Sequence, residues 1–500
     1  MKKNIVANIF GRLWGLLSSF LFIPLYIKIL GFESYSVISY TLMLAGIMAI
    51  LDGGLTATLS REFARADNSE DDKKKIYNTL ETVYSIIITL CILLVIFFSD
   101  NISKSLHVKT YTHEQLSLFL KIVSIDIGFQ LFFRFYMGGL LGMEKQVKAN
   151  TYQIIWGIAR NACVLILVYF YPSLTLFFIW QSITTFLFTL IIKYEVDRMV
   201  LRQNIFNLKF TFEKDIFNKV KKFAGGMMLI SLVAAINTQM DKITISKYMS
   251  IESLGYYTLA VSLSSALLVI VNPLATAVLP KFTSLYSEKS RKEAALLFNK
   301  FSMLASILIF TLLSLYIYFS KDILWAWTGD LNLAEKAYKI VPVIGGAYAL
   351  IALQVIPYHV SIANGYTKLN NLMGVISVLI TFPGYMYGIK YYGALGAAWV
   401  FFAVQFFTFI IYLYFINKKF INENFFNNLI FKQVVLPALV AFTISYLLSL
   451  IQFTNNRIAL VFWLLIVFII VLFVSLLCNI PRKEIISSID IFKQKMRKKQ

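Results

Sequence analysis

The sequence predicts an all-α polytopic membrane protein with about 14 transmembrane helices. Of its 500 residues, 58% are hydrophobic and only 15% are charged, and the mean hydropathy is +0.71. A soluble domain is about 25% charged and about 45–50% apolar. Fourteen spans of about 20 residues need about 280 apolar positions, which this composition supplies. The apolar residues form long runs, not short alternating segments, and this excludes an outer-membrane β-barrel.

Apolar runs of membrane length occur in fourteen places along the chain. Their approximate limits are 5–30, 37–64, 76–99, 115–141, 149–171, 173–195, 223–247, 254–280, 295–319, 338–364, 370–390, 394–417, 433–451 and 457–478. The first run is too long for the apolar core of a signal peptide, so it is predicted to be a retained span.

The basic residues between these spans predict the orientation of the chain. With the N-terminus inside, the inner loops hold more than three times as many Lys and Arg residues as the outer loops. The positive-inside rule therefore places both termini in the cytoplasm. The net charge of +21 follows mainly from this topology, with attraction to anionic lipid as a by-product, and does not indicate nucleic-acid binding.

The chain contains an internal repeat with an offset of 219 residues. This offset aligns Glu33-Ser34 with Glu252-Ser253, and each copy continues as a span with a helix-weakening pair, Gly53-Gly54 or Asn272-Pro273. Because each unit contains six spans, the two halves are predicted to run parallel. The predicted domains are an N-lobe at 1–216, a C-lobe at 217–420, and two further helices with a basic tail at 421–500.

Charged residues at membrane depth are candidates for function because each costs about 2.5–3.5 kcal/mol to insert. Arg160, Arg134 and Arg12 lie inside predicted spans of the first half, together with Asp52 and Asp126. One interpretation is a water-filled cationic cavity that receives an anion from the cytoplasm. The other pairs the two aspartates with two of the arginines as structural salt bridges and leaves Arg12 to reach the interface.

Two further positions have alternative interpretations. Arg61, with Arg65 one turn away, is a positive-inside anchor or part of an inner mouth of the cavity. In the second half, Asp241 lies in a polar stripe on the predicted seventh span, where an isolated aspartate is a candidate for binding a coupling H⁺ or Na⁺. The adjacent Lys242 could instead neutralise this carboxylate.

Metal and disulfide sites are not predicted. The three cysteines Cys91, Cys163 and Cys478 fall in separate apolar runs, and the three histidines are scattered. A coupling ion is thus the only cofactor-like ligand that the sequence suggests.

Three segments resemble a known family. Residues 29–65, ILGFESYSVISYTLMLAGIMAILDGGLTATLSREFAR, resemble the opening two-helix signature of the Wzx-type polysaccharide flippases. These belong to the multidrug/oligosaccharidyl-lipid/polysaccharide (MOP) exporter superfamily. Residues 138–150, GGLLGMEKQVKAN, and 239–260, QMDKITISKYMSIESLGYYTLA, are similar to that family's segments after spans four and seven.

The resemblance implies a fold and a task. The fold is two six-helix lobes in a V, as in MATE transporters, plus two C-terminal helices. The task is moving an undecaprenyl-diphosphate-linked oligosaccharide from the inner to the outer leaflet of the bacterial cytoplasmic membrane by alternating access, for O-antigen or capsule synthesis. It also implies cavity arginines, a character that Arg134 and Arg160 match, and a polysaccharide polymerase or chain-length machinery as possible downstream partners.

Two other functions stay open at this stage. A cation-coupled multidrug antiporter of the same superfamily would favour an acidic chamber, whereas arginines dominate here. A membrane polysaccharide polymerase would need a substantial outer loop, and the predicted outer loops are short. The sequence therefore favours a transporter over an enzyme.

Overall fold

A computed structural model describes residues 20–65, 68–202, 211–451 and 456–480. Within these ranges the regular secondary structure is entirely helical. The first ten helices are α1 Phe20–Leu30, α2 Phe32–Met48, α3 Leu55–Ala64, α4 Glu70–Ser105, α5 His113–Gly142, α6 Gln146–Asn161, α7 Cys163–Phe170, α8 Leu174–Val200, α9 Lys214–Tyr248 and α10 Ile251–Ser287. The other seven are α11 Arg291–Tyr318, α12 Ser320–Thr328, α13 Leu331–Ala337, α14 Ile340–Ala363, α15 Lys368–Ile416, α16 Leu436–Ser449 and α17 Arg457–Asn479, with π-helical segments Asn417–Ile421 and Phe425–Val435 before α16.

The described residues contain 12 helical segments long and apolar enough to cross a membrane. The all-α membrane fold is thereby confirmed, and the predicted number of 14 is approximate. Part of the difference lies in α15, which contains both predicted spans 370–390 and 394–417, joined at Gly393 with φ 60°. The predicted span 5–30 is described only from residue 20, as α1.

The N-terminal residues of α4 and α5 show why these helices begin where they do. Ser69 accepts a hydrogen bond from the backbone N–H of Asp72, whose carboxylate accepts one from the Ser69 N–H in return. Thr112 and Gln115 form the same reciprocal pair at the start of α5. Each such capping box satisfies backbone donors that the first helical turn leaves without partners.

The second predicted span, 37–64, is interrupted. α2 ends in a 3₁₀ turn, Ala49–Asp52, and Gly53 and Gly54 then have φ values of 54° and 71° before α3 begins. Two consecutive left-handed residues cannot continue a right-handed helix, and glycine adopts this conformation without steric cost. At the aligned pair Asn272-Pro273, α10 continues as one helix with Pro273 inside it. Neighbouring helices can satisfy the backbone groups that a proline frees in a membrane helix.

The helices form two compact units, which are described separately. The first contains residues up to Thr258 together with Tyr385–Ala394. Its core is α5, which packs against α3, α4 and α8. Gly138 and Gly142 lie one turn apart on α5, so close to the α3 backbone that a Cβ on Gly138 would come within 3.0 Å of the Thr56 carbonyl oxygen. Small residues at such spacing let membrane helices approach closely.

The second unit contains Leu259–Gly384 and Leu395 onward. Here α11 is central and packs against α14, α16 and α17. The predicted domain limits at residues 216 and 420 stay a prediction.

Candidate functional site

Arg160 and Asp126 form a buried ion pair in the first unit. Arg160, in the last turn of α6, donates from Nη1 and Nη2 to the two carboxylate oxygens of Asp126 on α5, both at 2.7 Å. Their side chains are 13% and 6% exposed. A bidentate pair is the strongest arrangement of these two groups, because two parallel charge-assisted hydrogen bonds form at once.

Further contacts hold the Arg160 guanidinium against α8 and Trp156. Its Nη1 also donates to the Gln181 carbonyl oxygen at 3.2 Å and to the Thr185 hydroxyl, both on α8. The indole ring of Trp156 lies 5.5 Å from its central carbon. Arg160 therefore links α5, α6 and α8, and in this structure it has the salt-bridge geometry that was one of the two interpretations of the sequence.

Asp52 has hydroxyl partners instead of an arginine. The Thr56 hydroxyl donates to its Oδ1, and the Tyr84 hydroxyl on α4 donates to the same oxygen at 3.0 Å. Tyr84 also contacts the Leu131 carbonyl oxygen at 3.0 Å. The half-buried carboxylate thus lies directly before the Gly53-Gly54 break and holds α4 to the start of α3.

Arg134 differs from Arg160 in its surroundings. It lies on α5, its side chain is exposed, and within the described ranges no carboxylate lies within 4 Å of it. Its charge acts on the Tyr84 hydroxyl that binds Asp52. Of the two arginines deep in the first unit that the structure describes, Arg134 is exposed and has no carboxylate within 4 Å in the described ranges, whereas Arg160 is paired with Asp126.

Arg61 and Arg65 flank the buried Glu62 at the C-terminal end of α3. The two guanidinium groups approach the Glu62 carboxylate at 3.5 Å and 3.9 Å. Arg61 also stacks on the Phe223 ring of α9 at 4.4 Å, and both arginines remain more than 40% exposed. This geometry is compatible with both interpretations of Arg61, a positive-inside anchor and part of an inner mouth of the cavity.

Asp241 on α9 is buried and satisfied within the first unit. Its Oδ2 accepts from the Tyr257 hydroxyl and its Oδ1 from the Lys242 backbone N–H, each at 2.8 Å. The Lys242 ammonium instead donates to the Thr238 carbonyl oxygen at 2.7 Å. The adjacent lysine therefore does not neutralise Asp241 through its side chain. Arg12 lies outside the described residues.

Sequence reasoning missed a second buried charge cluster. Lys193 of α8 contacts Glu81 of α4 at 2.5 Å and Asp197 at 3.3 Å. The Tyr136 hydroxyl donates to Glu81 and the Tyr77 hydroxyl to Asp197, both at 2.6 Å. The available signal was a glutamate, Glu81, inside the third apolar run. Lys193 lies near the predicted inner end of its span, where a lysine is an ordinary anchor. We call these five residues the Lys193 cluster.

Metal-binding groups of three or more His, Cys, Asp or Glu side chains do not occur in the part of the chain that the structure describes.

A family match covers most of the first unit and the start of the second. A family model described as "Polysaccharide biosynthesis protein" matches residues 1–286, which is more than half of the chain. The chain belongs to this family. The match includes every candidate residue named above, and the resemblance read from the three sequence segments is confirmed.

Individual relatives agree with the family. The chain is 22% identical over 396 residues to a Shigella flexneri protein named "Putative O-antigen transporter", covering 79% of this chain and 93% of that protein. Among solved structures, an inward closed conformation of the lipid II flippase MurJ has a TM-score of 0.71, with 18% identity and coverage of 95% and 98% of the two chains. An inward-facing multidrug transporter of the MATE family, in the MOP superfamily, has a TM-score of 0.66, with 12% identity and coverage of 82% and 94%.

These matches are named as transporters and a flippase, which confirms the prediction that the chain is not an enzyme. At these identities the structural matches establish the fold alone.

Proposed function

We propose that this protein is a flippase that moves a polyprenyl-diphosphate-linked oligosaccharide from the cytoplasmic to the outer leaflet by alternating access. The proposal is supported by membership of the polysaccharide biosynthesis family and by the similarity to a protein named as an O-antigen transporter. The product would feed O-antigen or capsule synthesis, where a polysaccharide polymerase consumes it.

Arg134 is the observation that carries this proposal. It lies eight residues before the C-terminal end of α5, about 12 Å along the helix from the end that the positive-inside rule predicts to be cytoplasmic. No carboxylate of the described residues lies within 4 Å of it, and a guanidinium at this depth is costly unless an anion or water receives its hydrogen bonds. A diphosphate matches this need because its oxygens accept the paired N–H donors of arginine in a fork geometry.

The Asp52 region gives Arg134 a suitable setting. The Gly53-Gly54 break interrupts a membrane-spanning segment beside the Tyr84 hydroxyl, and broken helices at membrane depth are tolerated where they line a cavity or are covered by protein. We infer that the diphosphate enters beside this break from the cytoplasmic end of α3, past Arg61.

The proposed location follows from the same activity. A lipid-linked donor made on the cytoplasmic face requires a flippase in the bacterial cytoplasmic membrane, with both termini in the cytoplasm according to the positive-inside rule.

Deleting the gene in its host and extracting the lipids tests the proposal. A flippase predicts accumulation of polyprenyl-diphosphate oligosaccharide and a bare cell surface, and the mass of that lipid identifies the substrate. Single repeat units displayed outside without long chains would contradict the proposal in favour of a polymerase. An unchanged surface glycan with new sensitivity to organic cations would contradict it in favour of a multidrug antiporter.

A further inference from the structure

A small cavity lies in the second unit beside the proline of α14. Its volume is about 20 Å³, and its lining includes Ser302 of α11, Leu353 and Pro357 of α14, and Gln433 of the π-helical segment before α16. None of the residues that line it carries a charge. Ser302 lies 11 residues into α11, about 16 Å along the helix and inside the predicted span 295–319. We call this space the Ser302 cavity.

The Ser302 hydroxyl is buried without a hydrogen-bond partner among the described residues. Ser302 is 9% exposed, and its Oγ is shielded from solvent. A helical serine or threonine often donates to the carbonyl oxygen four residues earlier, as Thr328 does to Leu324. Ser302 does not make this bond, and a buried hydroxyl without a partner is unfavourable. The hydroxyl therefore favours a partner that occupies the cavity.

Two carbonyl oxygens can complete the hydrogen bonds of such a partner. Pro357 has no backbone N–H, so the Leu353 carbonyl oxygen, one turn earlier in α14, lacks its helical donor. Gln433 donates from Nε2 to the Asn299 Oδ1 at 2.6 Å, and this contact leaves the Gln433 Oε1 as an acceptor. One hydroxyl and two carbonyl oxygens, from three different elements, thus belong to the lining of the same cavity.

We propose that the Ser302 cavity binds one ordered water molecule. The water donates to the Leu353 carbonyl oxygen and to the Gln433 Oε1, and it accepts from the Ser302 hydroxyl. Buried waters typically make about three hydrogen bonds, and a cavity volume of about 10–15 Å³ is enough for one. A metal cation is disfavoured, because no side chain of the lining supplies a compensating negative charge.

The water connects three elements of the second unit. Ser302 belongs to the central helix α11, Leu353 to α14, and Gln433 to the segment that leads into α16. The bond between Asn299 and Gln433 continues to Glu423, whose Oε1 accepts from the Asn299 Nδ2 at 3.1 Å. The water thus extends a polar network that attaches this segment to the core of the unit. Its binding does not depend on which substrate the protein carries.

Radiolytic labelling detects the water directly. A short X-ray pulse converts water into hydroxyl radicals, which oxidise the side chains in contact with it, and mass spectrometry locates the oxidised residues. Phe298 lines the cavity and is 1% exposed, whereas Phe282 on α10 is 0% exposed and does not line it. Purified wild-type protein should be labelled at Phe298 and not at Phe282. The Ser302→Val variant, whose branched apolar side chain fills the cavity, should lose the label at Phe298.

The wild-type measurement alone can overturn the site, even if Ser302→Val does not fold. Labelling of neither phenylalanine, or of both to the same extent, would contradict a water held in this cavity. Labelling of Phe298 in a folded Ser302→Val variant at the wild-type level would contradict it as well.

The sign of a stability change provides a second test with a smaller substitution. Ser264 on α10 is fully buried and its hydroxyl has no partner in the described part of the chain, but it does not line the Ser302 cavity. Removing such a hydroxyl ends an unfavourable burial, so Ser264→Ala should unfold at the wild-type temperature or above it. Ser302→Ala should instead unfold about 2–4 °C lower, because the water loses one of its three partners. Equal effects of the two substitutions on the unfolding temperature would overturn the proposal.

A bound cation would give a different result. Replacing Na⁺ and K⁺ in the buffer by choline should leave the label at Phe298 and the wild-type unfolding temperature unchanged. If Na⁺ or K⁺ raised the unfolding temperature of the wild type but not that of Ser302→Ala, the cavity would bind a cation, and the water site would be overturned.

Discussion

At the residue scale, the Arg160–Asp126 pair is expected to contribute to the stability of the fold and not to bind the substrate anion. Removing one partner of a buried ion pair leaves the other charge uncompensated, at a cost of about 3–5 kcal/mol. Arg160→Ala should therefore lower the temperature of thermal unfolding in detergent and the amount of protein in the membrane. The double variant Arg160→Gln/Asp126→Asn should recover most of this loss, because no buried charge remains.

Arg202 provides the control for this prediction. It pairs with Glu70, and both side chains are more than 60% exposed. Exposed pairs contribute about 0–1 kcal/mol, so Arg202→Ala should unfold close to the wild-type temperature. If Arg160→Ala kept its stability and lost only export, Arg160 would be an anion-binding residue after all.

Arg134 is expected to behave in the opposite way. Since it has no carboxylate partner within 4 Å among the described residues, Arg134→Ala should unfold at the wild-type temperature or slightly above it. Export should nevertheless fall at least tenfold, because a charge-assisted hydrogen bond contributes about 1.5–3 kcal/mol. The ratio of lipid-linked oligosaccharide to surface polysaccharide in cells measures this loss.

The conservative variant separates charge from geometry. Arg134→Lys keeps the positive charge but cannot donate a planar pair of hydrogen bonds, so export should recover only in part. Normal export by Arg134→Ala would remove this residue from the diphosphate site.

The sequence predicts how deep these residues lie in the membrane, but it does not predict which side chains they contact. Arg160 and Asp126 are 34 positions apart, and their pairing depends on how α5 and α6 face each other. Hydropathy and spacing along one helix contain no information about that rotation. The same limit applies to Asp52: one interpretation of the sequence pairs it with an arginine, whereas two hydroxyl groups bind it in the structure. Lys193 lay near the inner end of its span, where a lysine usually serves as an anchor.

At the element scale, the Gly53-Gly54 break is expected to be intolerant of larger side chains. Gly54 has φ 71°, and a Cβ at this position would overlap the Met227 side chain of α9. Strain from a non-glycine residue in this conformation costs about 1–3 kcal/mol, before the displacement of α9 is added. Gly54→Ala should therefore lower the unfolding temperature and reduce export.

Gly225 and Gly226 on the facing helix supply a matched control. A Cβ on either would have no atom within 4 Å, and both are helical. Alanine is favoured over glycine in a helix by about 0.5–1 kcal/mol, so Gly225→Ala should be neutral or stabilising. If Gly54→Ala and Gly225→Ala lowered the unfolding temperature and export equally, the flexibility of the helices would explain the effect, and the close approach of Gly54 to α9 would not.

The sequence predicts which segments are helical, but it does not predict whether consecutive helical segments are joined or interrupted. Apolar runs gave the spans because burial in lipid requires about 20 consecutive apolar residues. Whether two runs are joined depends on the backbone angles of one or two residues. Gly393 links two predicted spans inside α15, and the two glycines before α3 divide a single predicted span. Glycine permits both outcomes, so its presence alone does not distinguish a joint from a break.

At the scale of the whole molecule, the basic residues predict a single orientation in the membrane. Asp71 and Glu114 are suited to test it because each is an exposed acidic residue in the first turn of a spanning helix, α4 or α5. The two helices follow each other in the chain, so their N-terminal ends lie on opposite sides of the membrane. The native cysteines would first be replaced by alanine.

A membrane-impermeant maleimide should label Glu114→Cys in intact cells and Asp71→Cys only after permeabilisation. Both variants keep the capping residues Ser69 and Thr112, so the helix starts are preserved and accessibility alone is compared. Labelling of Asp71→Cys in intact cells would reverse the topology. The inner end of α3, with Arg61 and Arg65, would then face outward, and a substrate assembled in the cytoplasm could not enter there. The orientation experiment thus tests the direction of transport independently of the residues that bind the diphosphate.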